Sequence, residues 1–165
     1  MIILLTGVTG SGKTTIGWIL ADTLDWSFID ADYMHADEHL IKLSRGVPLT
    51  SDDIEPWLDG LEYAVRYGVE HQKNLIVACS LLRERDRERL RQNSPDVKIV
   101  YLKGSSNLLR QRVRDRRDYF MSPTVLGAQL LTIEEPSTAL HVEIDRSPEE
   151  VARHIMLSLD VWDRN

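Results

Sequence analysis

The sequence predicts an α/β protein in which one parallel β-sheet is covered by helices on both faces. Three observations carry this. Short apolar, β-branched runs alternate with stretches of helical periodicity along the whole chain. The first apolar run ends in a glycine-rich loop, Gly7-Val8-Thr9-Gly10-Ser11-Gly12-Lys13-Thr14, that opens a helix. A length of 165 residues, 42% of them hydrophobic and 28% charged, suits a single domain over residues 1–165 with a substantial core.

The elements follow in order. Ile2 to Thr6 reads as a buried strand, and Ile16, Ile19, Leu20 and Leu24 recur at helical spacing between Lys13 and Leu24. Ser27-Phe28-Ile29 is a second strand, followed by the polar stretch Asp30 to His35. A long helix is expected from about Asp53 to Gln72, with Pro56 near its first turn, where proline is tolerated. Leu75 to Ala78 and Val97 to Leu102 are the third and fourth strands. Helical patterns over Leu82 to Gln92 and Asn107 to Arg116 flank the fourth. His141 to Ile144 alternates weakly as a fifth strand, and Pro148 opens a final helix through about Leu159. The chain shows no repeat, low-complexity tract or linker.

Composition excludes several classes of function. No apolar run approaches the roughly 18 residues of a membrane span. Met1 to Leu5 lacks the charged and small-residue features of a secretory signal. The single cysteine, Cys79, excludes a disulfide scaffold and a cysteine-based zinc site, so a reducing cytoplasm is the expected compartment. The formal charge of −6 argues against polyanion partners, yet it is unevenly spread: Arg83 to Arg117 carries +7 and the remainder −13. The basic segment could attract an anion, and charge alone does not choose among nucleic acid, a nucleotide and a small acid. It lacks the interleaved aromatics of a single-strand nucleic-acid binder, so no nucleic-acid partner is expected.

Gly7 to Thr14 fits G-x-x-x-x-G-K-[ST], the phosphate-binding P-loop, in the strand–loop–helix context that its chemistry requires. The glycines let backbone N–H groups turn toward phosphate oxygens, and the helix N-terminus adds a favourable dipole. Lys13 is expected to reach the β- and γ-phosphates of ATP, and the Thr14 hydroxyl to ligate Mg²⁺. The nucleotide set is therefore Gly7, Thr9, Gly10, Ser11, Gly12, Lys13, Thr14 and Thr15, all in or beside the loop. The motif alone does not choose among GTPase switches, motors and small-molecule kinases. The Asn-Lys-x-Asp tetrapeptide of guanine-nucleotide binders is absent, and Ala78-Cys79-Ser80 carries no acid where a Walker-B aspartate would stand.

Asp30-Ala31-Asp32 is the natural source of the missing carboxylates. On an extended segment Asp30 and Asp32 point to the same side, one suited to hold Mg²⁺ and the other to accept a proton from an attacking hydroxyl. The competing reading is that one of them caps a helix starting near Ala36. His35 follows, without the further ligands a zinc site needs. Arg83, Arg87 and Arg91 share a helical face, and the interspersed Glu84 and Glu88 equally suit a salt-bridged surface. Arg110, Arg112, Arg114, Arg116 and Arg117 crowd the next helix, placed to fold over a nucleotide as a lid at about residues 110–122.

Further segments complete a pattern: Asp30-Ala31-Asp32-Tyr33-Met34-His35, Lys42, Gly46-Val47-Pro48-Leu49, Asp52-Asp53, Pro56-Trp57-Leu58, Cys79-Ser80, Tyr101 to Ser105, Phe120-Met121, Gln129 and Glu134-Glu135-Pro136. With the P-loop, these resemble the gluconokinases of the P-loop, shikimate-kinase-like type, in family order over nearly the whole chain. The resemblance implies a three-layer P-loop kinase fold, with five parallel strands in order 2-3-1-4-5, flanking helices and a lid. It implies ATP-dependent transfer of a phosphoryl group to the 6-hydroxyl of D-gluconate, frequently by a homodimer. By similarity, Asp32 is the hydroxyl-orienting base and Asp30 a metal-side carboxylate. His35 then lies in the acceptor pocket, Arg112 packs near adenine, and Arg116 belongs to the lid that neutralises the transferring phosphate. Arg83, Arg87 and Gln129 complete the acceptor set.

The departures from the family pattern concentrate in the acceptor pocket. Ile54 stands where an arginine is usual, Leu81 replaces a smaller residue, and Asp86 and Tyr119 replace Tyr and His. These open a competing expectation of another acceptor: a different sugar acid, a polyol, a cyclitol or another hydroxylated metabolite. A more distant alternative is a nucleotide-dependent regulatory protein without kinase activity.

Overall fold

The computed structural model describes residues 1–116 and 124–162. Five strands, β1 (Ile2–Thr6), β2 (Ser27–Asp30), β3 (Leu75–Cys79), β4 (Val97–Lys103) and β5 (Leu140–Glu143), form one sheet in the order β2-β3-β1-β4-β5. Every pairing is parallel, with Ile2 opposite both Leu75 and Val97. Expected strand order and class are both observed.

Alternation along β1 divides the interior into two cores. Ile3 and Leu5 join Ile76, Val100 and Leu102 beneath α1 (Lys13–Leu24) and α7 (Pro148–Ser158). Ile2 and Leu4 join Val77, Cys79 and Ile99 beneath α3 (Ser51–Glu70) and α4 (Glu84–Arg91), which contribute Leu58, Leu61, Val65 and Leu90. Burial of each such Leu or Ile contributes about 1.5–3 kcal/mol. The sheet is buried on both faces, which is why its central strands read as unbroken apolar runs rather than alternating ones. Burial also pushes the Cys79 thiol up to about 12, consistent with an inert core residue.

Three differences from the sequence expectation matter for the site. The long helix starts at Ser51, because Thr50 and Asp53 form a reciprocal capping box that fixes its first turn. Pro56 consequently lies in the second turn, where it removes the intrahelical partner of the Asp52 carbonyl. Two helices had no counterpart in the periodicity reading: α2 (Asp37–Ser44) and α6 (Thr124–Thr132). Both are short, and α6 carries Gly127 and three β-branched residues that mask its Val125, Leu126 and Gln129 spacing. The remaining helix, α5 (Ser106–Asp115), agrees to one residue at each end. Among the described residues, no helix is long and apolar enough to cross a membrane.

Candidate active site

The glycine-rich loop sits at the carboxyl end of β1, between two central strands, where open parallel sheets bind ligands. Its shape depends on glycine at two positions. Gly10 and Gly12 have φ of 83° and 91°, left-handed values that side chains disfavour. A Cβ on Gly10 would also lie 2.9 Å from Val113 Cγ2, because α5 packs directly on the loop. Inside the loop, the buried Lys13 ammonium donates to the carbonyls of Gly7 (3.1 Å) and Val8 (3.3 Å). It is thus held within the cradle it is expected to serve.

Beside the loop lies a cleft of about 350 Å³ lined by Gly10, Gly12, Thr15, Arg112, Arg116 and the Ile144–Val151 segment, among others. Arg112 crosses its wall and donates to the Ile144 carbonyl at 2.8 Å. Every residue expected to bind the nucleotide lies in the loop, in its helix or in this cleft. Arg117 to Ser122, the outer part of the expected lid, lies outside the described residues.

The carboxylates are arranged differently from the extended-segment expectation. Asp30 ends β2, and the chain then turns into a single 3₁₀ turn, Ala31–Met34, so period two does not apply. Asp30 faces the P-loop: Oδ2 accepts from Thr14 Oγ1 at 2.6 Å, and Oδ1 accepts from the Asp32 backbone N–H at 3.1 Å. It therefore also caps the 3₁₀ turn, whereas the helix opening at Asp37 has no side-chain cap. Burial raises the Asp30 pKa, against the lowering effect of the Thr14 hydrogen bond. Oxygen donors from a threonine and an aspartate beside a phosphate cradle fit the chemistry of Mg²⁺.

Asp32, 3% exposed, lines a second cavity of about 290 Å³ on the other side of the loop. Five segments build it: the 3₁₀ turn and His35, the 43–49 stretch, Ile54 and Trp57 of α3, Ser80 to Asp86, and α6. His35 stacks on Trp57 at a 4.7 Å ring separation, and burial lowers its pKa, which favours the neutral ring. Trp57 is fixed in turn by Nε1 donating to the Ala31 carbonyl at 2.7 Å. His35 Nδ1 and Ser80 Oγ are buried with no hydrogen-bond partner among the described residues. Unpaired buried polar atoms in a cavity wall are costly until a ligand satisfies them.

The cavity gathers Asp32, His35, Arg83 and Gln129 from the expected acceptor set, but not Arg87. Arg87 is 1% exposed and turns inward, donating to the Leu81 carbonyl (2.9 Å), the Glu134 carbonyl (2.6 Å) and the Glu84 carboxylate. That argues against its assignment: four of the five guanidinium N–H groups are taken by internal acceptors and the side chain does not line the cavity, so it holds the turn instead. Arg89 and Arg91 are surface ion-paired, Arg89 clamping α4 to Glu55, Asp59 and Glu62 of α3. Arg83 remains the cation in the cavity wall, exposed at the N-terminus of α4. Sequence reasoning missed Trp57 and Ser80 as cavity residues, although both stand in the segments that carry the resemblance.

A phosphate cradle with an inward lysine, flanked by one cleft for a nucleotide and a second cavity with a buried carboxylate, defines a P-loop small-molecule kinase. The AAA domain family matches residues 2–136. A probable gluconokinase of Rattus norvegicus is 34% identical across 96% of this chain and 97% of its own length. A sugar kinase structure from Janibacter superposes with a TM-score of 0.88 at 32% identity, covering 97% of this chain and 94% of that one. A gluconokinase structure from Sinorhizobium meliloti gives 0.83 at 32%, covering 96% and 90%. The chain belongs to the gluconokinase family within this P-loop group. It is an ATP-dependent kinase acting on a hydroxyl group.

Proposed function

We propose that this protein transfers the γ-phosphoryl group of ATP to the 6-hydroxyl of D-gluconate, giving ADP and 6-phosphogluconate. The observation that carries the reading is the cavity beside the P-loop, where buried Asp32 shares a wall with the unpartnered His35 Nδ1 and Ser80 Oγ and with Arg83. Gluconokinase relatives over nearly the full chain support the acceptor.

In this reading Asp32 orients the acceptor hydroxyl and takes its proton as the oxygen attacks phosphorus. The bond from phosphorus to the β,γ-bridging oxygen breaks, and ADP carries away its electron pair. Lys13 leaves the Gly7 and Val8 carbonyls for the phosphates and offsets charge on the leaving side. Thr14 and Asp30 are the residues that would hold Mg²⁺, which supplies charge neutralisation between phosphates when bound. Arg112 lies against the base side of the cleft, and Arg116, on the same wall, adds positive charge near the phosphates. Arg83 pairs with the acceptor carboxylate, and His35 and Ser80 satisfy its hydroxyls. The family resemblance supports a cytoplasmic homodimer as the working form.

A coupled ADP-release assay tests this directly. D-Gluconate should stimulate ADP formation and yield a product phosphorylated at the primary hydroxyl; no stimulation by gluconate would remove the reading. One observation favours a second acceptor class. Ile54, Leu49, Leu81 and Val125 give the cavity an extensive apolar wall, which leaves hydroxyl groups facing it unpaired. A less hydroxylated acid turned over faster than gluconate in the same assay would establish that class instead.

A further inference from the structure

The acceptor cavity and the P-loop are joined through one side chain. Gln129, nine-tenths buried on α6, accepts a hydrogen bond at its Oε1 from the backbone N–H of Thr9 at 2.6 Å. Because a backbone N–H can only donate, this contact fixes the orientation of the amide: Oε1 faces the loop and Nε2 is the other end. Gln129 lines the acceptor cavity together with Val125, Ala128 and Thr132 of the same helix, so the Nε2 donor is the end of the amide not engaged by Thr9. Among the described residues, Gln129 is the cavity-wall side chain that hydrogen-bonds to the P-loop backbone.

Its helix is anchored at the far end as well. Immediately after α6, the Glu134 N–H donates to the Leu82 carbonyl at 2.8 Å, and Glu134 Oε2 accepts from the Glu84 N–H at 2.6 Å. Arg87 adds its bond to the Glu134 carbonyl. The turn that carries Ser80 and Arg83 is therefore fastened to α6, and α6 to the loop. A ligand pulling on Arg83 or on the Gln129 amide acts on Thr9 through this connected set.

We propose that Gln129 is a positioning residue that couples acceptor occupancy to the P-loop: Oε1 sets the Thr9 segment, while Nε2 donates to an oxygen of the acceptor. Filling the cavity then holds the amide, and with it the loop conformation that receives the nucleotide phosphates. The proposal rests on the kinase reading for the acceptor but not for the Thr9 contact.

Two variants separate the ends of the amide. Gln129→Glu keeps an oxygen for Thr9 and removes the donor, whereas Gln129→Met removes both in similar volume. Thr9 amide exchange in the ligand-free protein, followed by NMR, should be protected in wild type and Gln129→Glu. It should be about tenfold or more faster in Gln129→Met, the loss of one hydrogen bond. Binding of an ATP analogue by calorimetry should tighten about fivefold or more when D-gluconate is present in wild type, and in neither variant. Unchanged Thr9 protection in Gln129→Met, with that variant folded by its spectrum, would overturn the tether. Gluconate-dependent tightening that survives in Gln129→Met would overturn the coupling. Wild-type protein that does not bind gluconate at all would count against the acceptor reading, and Thr9 exchange would still decide the tether.

Discussion

The two ends of the proposed active site are built on opposite principles. The proposed nucleotide end is made of consecutive residues, Gly7 to Thr15, in a loop shaped by glycine φ angles. The acceptor end is made of side chains from five separated segments, several of them held by hydrogen bonds to one another. Backbone recognition tolerates little variation, whereas a side-chain cavity can change its ligand by substitution at one wall. The departures from the family pattern at Ile54, Leu81 and Asp86 fall on the second kind of construction.

The largest effects should come from breaking each end separately. Asp32→Asn should lower turnover by about 10²–10⁴-fold, the usual contribution of a general base, while ATP affinity stays near wild type. Lys13→Ala should cost about 10²–10³-fold in turnover through lost charge stabilisation, and should weaken nucleotide binding too. Single-turnover kinetics with calorimetric ATP binding read both quantities. An Asp32→Asn protein that lost ATP binding as severely as Lys13→Ala would erase the division into two ends.

A smaller effect, of opposite sign, is expected from Ile54→Arg. Ile54 lines the cavity from the first turns of α3, so an arginine there adds a bidentate donor to the cavity that also holds Arg83. If gluconate is the acceptor, kcat/KM for it should rise about tenfold or more, the value of one charge-assisted hydrogen bond to its carboxylate. The KM for ATP should not move. A fall in gluconate kcat/KM would show that the apolar wall fits the true acceptor, and would shift the assignment toward less hydroxylated acids.

The same contrast explains what could be read from the sequence. The strands and the P-loop were legible because the signals are local: unbroken apolar runs in buried parallel strands, and a contiguous glycine-lysine motif; the strand order came only with the family resemblance. Asp30 was legible as a candidate but not in its geometry, because the 3₁₀ turn at Ala31 overrides the alternation expected of an extended segment. Arg87 was misread for a related reason. Its helical spacing matches that of Arg83, yet the Leu81 and Glu134 carbonyls that capture it come from segments 6 and 47 residues away. Gln129 stood in a segment of family resemblance, but its contact with Thr9 spans 120 residues and leaves no trace in spacing. Whether a polar side chain serves the ligand or the fold depends on which long-range acceptor reaches it first.

The smallest predicted effect concerns the scaffold that holds the acceptor wall. Asp53, at the start of α3, receives Lys42 Nζ at 2.7 and 2.8 Å from α2 and the Thr50 N–H at 2.9 Å, with His39 Nε2 at 3.4 Å. The Lys42 hydrogen bond is the main cause that holds the Asp53 carboxyl well below the usual aspartate range, with the Thr50 backbone bond next. A depressed folded-state pKa means that the contact stabilises the fold above the unfolded-state value and ceases to do so as pH falls through the folded one. Asp53→Asn keeps an oxygen for the capping box but removes the charge facing Lys42. It should therefore melt below wild type at pH 7, with the gap narrowing as pH falls below about 4, where the unfolded-state aspartate protonates. Thermal melts across that range, with ATP binding checked at pH 7, read the effect. A gap independent of pH would mean that the Lys42 pairing is not what joins α2 to α3. A loss of ATP binding would mean that the acceptor scaffold and the nucleotide end are less separable than their construction indicates.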